Sequence, residues 1–259
     1  MADDVHKASG GEREIIFSVE EPVNEFFMPR FQLCDIRVIP PGHNYIASGG
    51  AHLKRFVPLF HFLYHKFIVI QGGFGTGPEP YHLPIRNAYN LVVGEIPGAV
   101  MKGDGTLLNL DTTNWAPWDI EVGEDDHALE VIRTGRALRR GVGVDFLVYG
   151  RMLAPAAVEN IKTMSWENSD HYTPVTLQHN IPAIFHSAWS APDGRFGIVL
   201  ANWTNEEQEV TVSDPRLGYQ VTGHFSSKSL ESKILEVEGS SLSISVPPLG
   251  CVLVEAKRK

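Results

Sequence analysis

Cysteine is the scarcest chemistry in this sequence of 259 residues: only Cys34 and Cys251 occur, far apart in the chain. Two residues cannot build a disulfide framework, so the fold must rest on a packed core, with both thiols expected free and mostly buried. Long apolar runs are also missing. No stretch reaches the roughly 18 apolar residues of a membrane-spanning helix, so no membrane partner is expected. The opening Met1-Ala2-Asp3-Asp4-Val5-His6-Lys7 lacks the apolar centre of a secretory signal, which makes a cytoplasmic location the default expectation. Positive charge is in deficit, with 22 Lys and Arg against 31 Asp and Glu and a net charge of -9. A dedicated nucleic-acid binder needs a basic stripe to release counterions, so no nucleic-acid partner is expected. What is present is an ordinary globular balance, 43% hydrophobic and 20% charged, long enough for one large domain or two medium ones.

Along the chain, Glu14-Ile15-Ile16-Phe17-Ser18-Val19 predicts a strand covered on both faces, ending at the acidic pair Glu20-Glu21 where Pro22 disfavours helical geometry. Between Asn24 and Ile36, Phe27, Phe31, Leu33 and Cys34 fall at roughly helical spacing. The run from Phe56 to His65 predicts a second buried strand. Beyond the glycine-rich Gly72–Gly77 loop, Pro84 near the start and Gly94 just past the end predict a helix. Another helix is predicted over Glu124–Arg140, its acidic first turn and basic last turn complementing the helix dipole. From Val144 the texture changes to short strands: Asp145–Tyr149, Ala183–Trp189, Gly197–Trp203, Gln208–Val212, Tyr219–Thr222, Leu242–Val246 and Cys251–Glu255. Leu242, Ile244 and Val246 alternate with serines, and Asp193-Gly194 marks a hairpin. Such a series predicts an antiparallel β-sandwich.

The order of strand, acidic exit, helix, strand, helices and sandwich resembles the tail of a bacterial glycoside hydrolase: the last two or so β/α units of a (β/α)8 barrel and its C-terminal β-sandwich. The resemblance is carried by Phe17-Ser18-Val19-Glu20-Glu21-Pro22, placed like the seventh barrel strand, and by Pro58–His65, placed like the eighth. In the sandwich it is carried by Ile184–Trp189, Asp193-Gly194-Arg195, Ile198–Asn202 and Val246-Pro247-Pro248-Leu249-Gly250-Cys251-Val252-Leu253. It implies an α/β plus all-β chain, with residues 1–142 as the C-terminal portion of a barrel and 143–259 as the accessory sandwich. A complete barrel takes roughly 250 residues, whereas only about 140 precede the sandwich. The expectation is therefore a piece of a longer protein, lacking its N-terminal barrel half, with self-association of the exposed strands as an alternative.

Barrel chemistry sits at the carboxyl ends of the strands. The resemblance thus implies Glu20 or Glu21 as the strand-end carboxylate of a glycosidase, with Glu20 favoured because a strand fixes its direction. Its acid/base partner would come from a strand this chain lacks, so the chain alone is expected to hydrolyse little or nothing. Asn24 and Glu25 could add polar contacts at the same mouth, Tyr64 and His65 could meet sugar hydroxyls or simply pack, and Trp115 and Trp118 could stack on sugar faces or cap the domain junction. The expected partner is a carbohydrate, and no cofactor is expected. His61 and His65 lie about 13 Å apart if they share a strand, which excludes one metal between them. The Gly72–Gly77 loop lacks the lysine of a P-loop, which disfavours phosphate. Asn202-Trp203-Thr204 matches a glycosylation sequon and reads as chance. A non-catalytic carbohydrate-binding or structural sandwich module is the rival reading.

Overall fold

A computed structural model of the chain describes residues 7, 10, 16–20, 26, 28, 31–36, 58–72, 82–98, 126–169, 176–218 and 220–257. Three short strands, β1 (Ser18–Glu20), β2 (Leu33–Ile36) and β3 (Val69–Gly72), lie side by side in that order, all parallel. Ile96 extends the sheet by a parallel bridge to Gln71. The strand β1 thus forms at the end of the apolar run, but the helical spacing around Leu33 and Cys34 is misleading. Leu33–Ile36 pairs on both sides, satisfying its backbone groups as a central strand, and Cys34 is fully buried.

A larger correction concerns Pro58–His65. This run is not a strand but a helix, α1 (Leu59–Tyr64). Its segment Leu-Phe-His-Phe-Leu-Tyr contains no β-branched residue, and burial follows a helical period. His61, His65 and Ile68 are buried, whereas Leu59, Phe62 and Leu63 are exposed. A short apolar run cannot by itself distinguish the two states. The strand forms just downstream, where Ile68-Val69-Ile70 supplies β-branched side chains. The parallel sheet therefore holds more strands than the two read from sequence.

Two longer helices follow, α2 (His82–Val92) and α3 (Asp126–Arg140), packed against each other. Gly94 closes α2 with φ +82, as its place past the helix end suggests. The expected strand at Asp145–Tyr149 is instead a short helix, α4 (Val144–Leu147). Phe146 and Leu147 are adjacent and both fully buried, which one half-covered strand face cannot provide.

The rest is antiparallel. A six-stranded sheet runs β12-β11-β14-β9-β8-β4, built from β4 (Arg151–Leu153), β8 (Ile184–Ser190), β9 (Phe196–Asn202), β11 (Val221–Ser226), β12 (Leu230–Leu235) and β14 (Cys251–Ala256). A three-stranded sheet runs β13-β10-β5, from β5 (Ala157–Glu159), β10 (Gln208–Ser213) and β13 (Ser241–Val246). A two-stranded ribbon joins β6 (Thr163–Ser169) to β7 (Thr176–Pro182). The two larger sheets share one apolar cluster, in which Val210, Val212, Leu242, Ile244 and Val246 meet Ile184, Ile198, Leu200, Val252 and Val254. On its other face the six-stranded sheet carries α2 and α3, through Trp189, Val199, Ala201, Cys251 and Leu253. Every residue of β9 is buried because both of its faces are covered.

Asn202 is fully buried. Its Nδ2 donates to the carbonyls of Glu206, Val246 and Pro247, and its Oδ1 accepts from Thr204. The sequon is thus a structural turn, closed to a glycan. Trp189 and Trp203 are core residues, with Trp203 Nε1 donating to the Pro182 carbonyl at 2.8 Å. No helix among the described residues is long and apolar enough to cross a membrane.

Candidate functional site

The register of the parallel sheet decides which residues meet at its carboxyl edge. Val19, Cys34 and Ile70 form one row across the strands, and this row belongs to the core that the helices cover. The next row is Glu20, Asp35 and Gln71. This second row stands at the strand ends, with neighbouring positions about 4.8 Å apart. Two residues earlier in the register, Ser18 is exposed and Val69 is 43% exposed, on the face opposite the helices. Glu20 is within β1, where sequence reasoning put it. Asp35 and Gln71 were not read from sequence. Their one signal is a polar residue ending a short apolar run, Leu33-Cys34 and Ile68-Val69-Ile70 respectively. Glu21, Asn24, Glu25, Trp115 and Trp118 lie outside the described residues.

Tyr64 and His65 end a helix rather than a strand, and they face the core. Tyr64 is half-buried, its ring 5.2 Å from that of Phe60. His65 is 6% exposed and packs edge-on against Trp189, with ring centroids 4.7 Å apart. Its Nε2 reaches the carbonyls of Leu147 at 3.1 Å and Gly94 at 3.2 Å, while Nδ1 faces the Gly150 carbonyl at 3.4 Å. One imidazole thus ties α1, the end of α2 and the start of the antiparallel region together. His61 and His65 share a helix face instead of standing apart along a strand, yet each has its own partner. His61 Nε2 lies 2.6 Å from Glu95 Oε1, with both side chains essentially inaccessible. Among the described residues no group of His, Cys, Asp and Glu is arranged to hold a metal ion.

Burial holds the His65 imidazole below its ordinary value, against the pull of the Gly94 and Gly150 carbonyls, and Arg139 and His61 push the same way. Burial depresses His186 likewise. A histidine whose folded pKa lies below its unfolded value of about 6.5 binds its proton less readily in the folded state. The stability it contributes is complete above that pH and is lost as pH falls below it. Thermal melts are therefore expected to decline from about pH 7 towards pH 5, and less steeply in His65→Gln. Equal slopes for the two proteins would show that His65 is not a source of the decline.

Neither protein-family models nor curated protein sequences match this chain. Solved structures do. A maltogenic α-amylase from Thermotoga neapolitana aligns over 100% of this chain and 58% of its own, with TM-score 0.56 and 13% identity. An α-amylase from Geobacillus thermoleovorans, solved with acarbose, aligns over 100% of this chain and 56% of its own, with TM-score 0.50 and 10% identity. The chain thus spans less than two thirds of either structure. The likeness is one of fold, and the fold is glycoside-hydrolase-like.

Proposed function

We propose that this chain is the C-terminal portion of a glycoside-hydrolase-like protein, a partial (β/α)8 barrel over residues 1–142 followed by a β-sandwich over 143–259. The complete protein would hydrolyse glycosidic bonds with paired carboxylates, and this chain alone would be inactive. The observation that carries the reading is the row Glu20–Asp35–Gln71 at the carboxyl edge of a parallel sheet, in a fold shared with α-amylases. Chemistry in such barrels is built at that edge. Two features favour an incomplete barrel. Among the described residues β1 pairs only with β2, leaving an open edge, and the sheet face opposite the helices exposes Val69. Glu20 would serve as one carboxylate, with Glu21, Asn24 and Glu25 beside it and Trp115 and Trp118 as sugar-stacking residues.

A glycan array tests where carbohydrate is held. Binding by the chain is expected to weaken about tenfold or more in Glu20→Gln and Glu21→Gln, since charged hydrogen bonds to a ligand are worth about 1.5–3 kcal/mol. Binding that survives both substitutions but is lost in Trp115→Ala or Trp118→Ala would overturn this reading in favour of a non-catalytic carbohydrate-binding module.

A further inference from the structure

At the far end of the six-stranded sheet, three neighbouring strands bring together a serine, a histidine and a glutamate. Ser232 on β12 and His224 on β11 are register partners, and His224 Nδ1 lies 2.7 Å from Ser232 Oγ. On the other side of the ring, Nε2 faces Glu255 Oε2 on β14 at 3.6 Å, an electrostatic contact longer than a hydrogen bond. Ser232 is exposed, whereas the side chains of His224 and Glu255 are only 12% and 10% exposed. Glu255 is fixed in turn by Arg195, whose Nη1 donates to it at 3.0 Å while Nε donates to Asp193 at 2.6 Å. Arg195 also pairs with Asp145 of α4, beneath which Phe146 packs, so the far wall of the cluster is anchored in the core.

The donor and acceptor inventory sets the polarity of this chain of contacts. A carboxylate only accepts, so Glu255 favours the tautomer with the proton on Nε2. Nδ1 then holds a lone pair and accepts the Ser232 hydroxyl hydrogen. Burial keeps the imidazole below its ordinary value, against the opposing pull of Glu255 and with Arg195 reinforcing it, so near neutral pH the ring is free to take a proton. Among the described residues Glu255 and Arg195 are the charges that face it. Among the described residues β12 is the edge of its sheet, so alternate backbone N–H groups beside Ser232 point outward with no strand partner there. Nucleophile, base, orienting carboxylate and outward-facing donors are the elements of acyl transfer.

We propose that Ser232 is an activated nucleophile that accepts acyl groups from small aryl esters, with His224 as its general base and Glu255 as a positioning residue. Ser232 Oγ adds to the ester carbonyl carbon while its proton passes to His224 Nδ1. The bond from carbon to the aryl oxygen then breaks, and the imidazolium returns the proton to the departing phenolate. Water, activated by the same histidine, releases the acyl group as a carboxylic acid. This site is independent of the barrel edge and of any glycan.

The test is incubation of the full chain with p-nitrophenyl acetate, followed by peptide mapping of the acetylated residue and kinetics across pH. Acetylation is expected on Ser232 ahead of Ser227 and Ser229, absent in Ser232→Ala and slowed about 100-fold in His224→Gln, the usual size of a general-base contribution. The rate should rise with pH through a midpoint below about 6.5, and Glu255→Gln should move that midpoint lower still, because Glu255 is the group holding the histidine's proton on. Ser232 is exposed and the His224 side chain 12% exposed, and matching circular dichroism melts would establish that the variants are folded. Acetylation of Ser232 no faster than of the other serines, equal rates in His224→Gln, or a pH midpoint unmoved by Glu255→Gln would overturn the proposal.

Discussion

Replacing Gly94 with alanine is expected to cost about 3–5 kcal/mol and to lower the melting temperature by roughly 10 °C, because two penalties coincide. The first is conformational. Gly94 has φ +82, where an L side chain crowds the following carbonyl at a cost of about 1–2 kcal/mol. The second is steric. A Cβ there would sit 2.3 Å from His65 Nε2, 2.6 Å from His65 Cδ2 and 2.8 Å from Trp189 Cη2. Neither ring can retreat, since His65 is held by main-chain carbonyls and Trp189 is fully buried. The substitution would push apart the contact through which α1, α2 and the antiparallel sheet are joined. Chemical denaturation of Gly94→Ala beside Gly98→Ala makes the check, as Gly98 has open space around it and an ordinary φ. Similar losses in the two variants would mean that the close approach at Gly94 contributes nothing.

The second large effect concerns the buried pair of His61 and Glu95. The two side chains are 1% and 0% exposed and meet at 2.6 Å, while His61 Nδ1 and Glu95 Oε2 have no partner among the described residues. The glutamate's influence extends beyond the pair: burial, and then the Glu95 charge, push the Tyr89 hydroxyl well above its ordinary value, with Arg86 opposing. In His61→Leu the carboxylate keeps its cost of burial and loses its partner, an imbalance worth about 3–5 kcal/mol. Removing both groups should cost less than removing one. The double variant His61→Leu/Glu95→Leu is expected to recover about 2 kcal/mol or more relative to His61→Leu, since an apolar pair of similar volume carries no desolvation penalty. Additive losses in a double-mutant cycle would contradict this account of the pair.

Those two sites also explain which parts of the molecule were legible in its sequence. Gly94 announced itself as the residue past a helix end, yet its contact with His65 depends on a helix that the sequence disguised. Leu59–Tyr64 is apolar apart from His61, so neither a period of two nor one of 3.6 stands out, and its helical state follows from tertiary burial of His61 and His65 on one side. The β-sheet was clearest where one face is covered and the other wet. In β13, Leu242, Ile244 and Val246 are buried while Ser243 is exposed, so the alternation is printed in the residues themselves. It was invisible in β12, an edge strand exposed along nearly its whole length, and in the β6–β7 ribbon, whose covered face mixes Met164, Trp166 and Ile181 with the polar His179. At the candidate site, the placement of Glu20 in β1 was readable because Pro22 marks the exit of the strand. Its neighbours Asp35 and Gln71 were not, because parallel pairing joins residues far apart in sequence and no local motif encodes the register.

The edge that β1 leaves open among the described residues and the exposed Val69 favour the same proposed reading, an incomplete barrel. On the proposed reading this chain supplies one carboxylate of a catalytic pair. Steady-state hydrolysis of a panel of α-glucans and aryl glycosides by the purified chain tests this most directly. The account predicts no turnover above that of buffer, in the wild-type chain and in its variants alike. Turnover by the chain alone that disappears in Glu20→Gln or Glu21→Gln would contradict it.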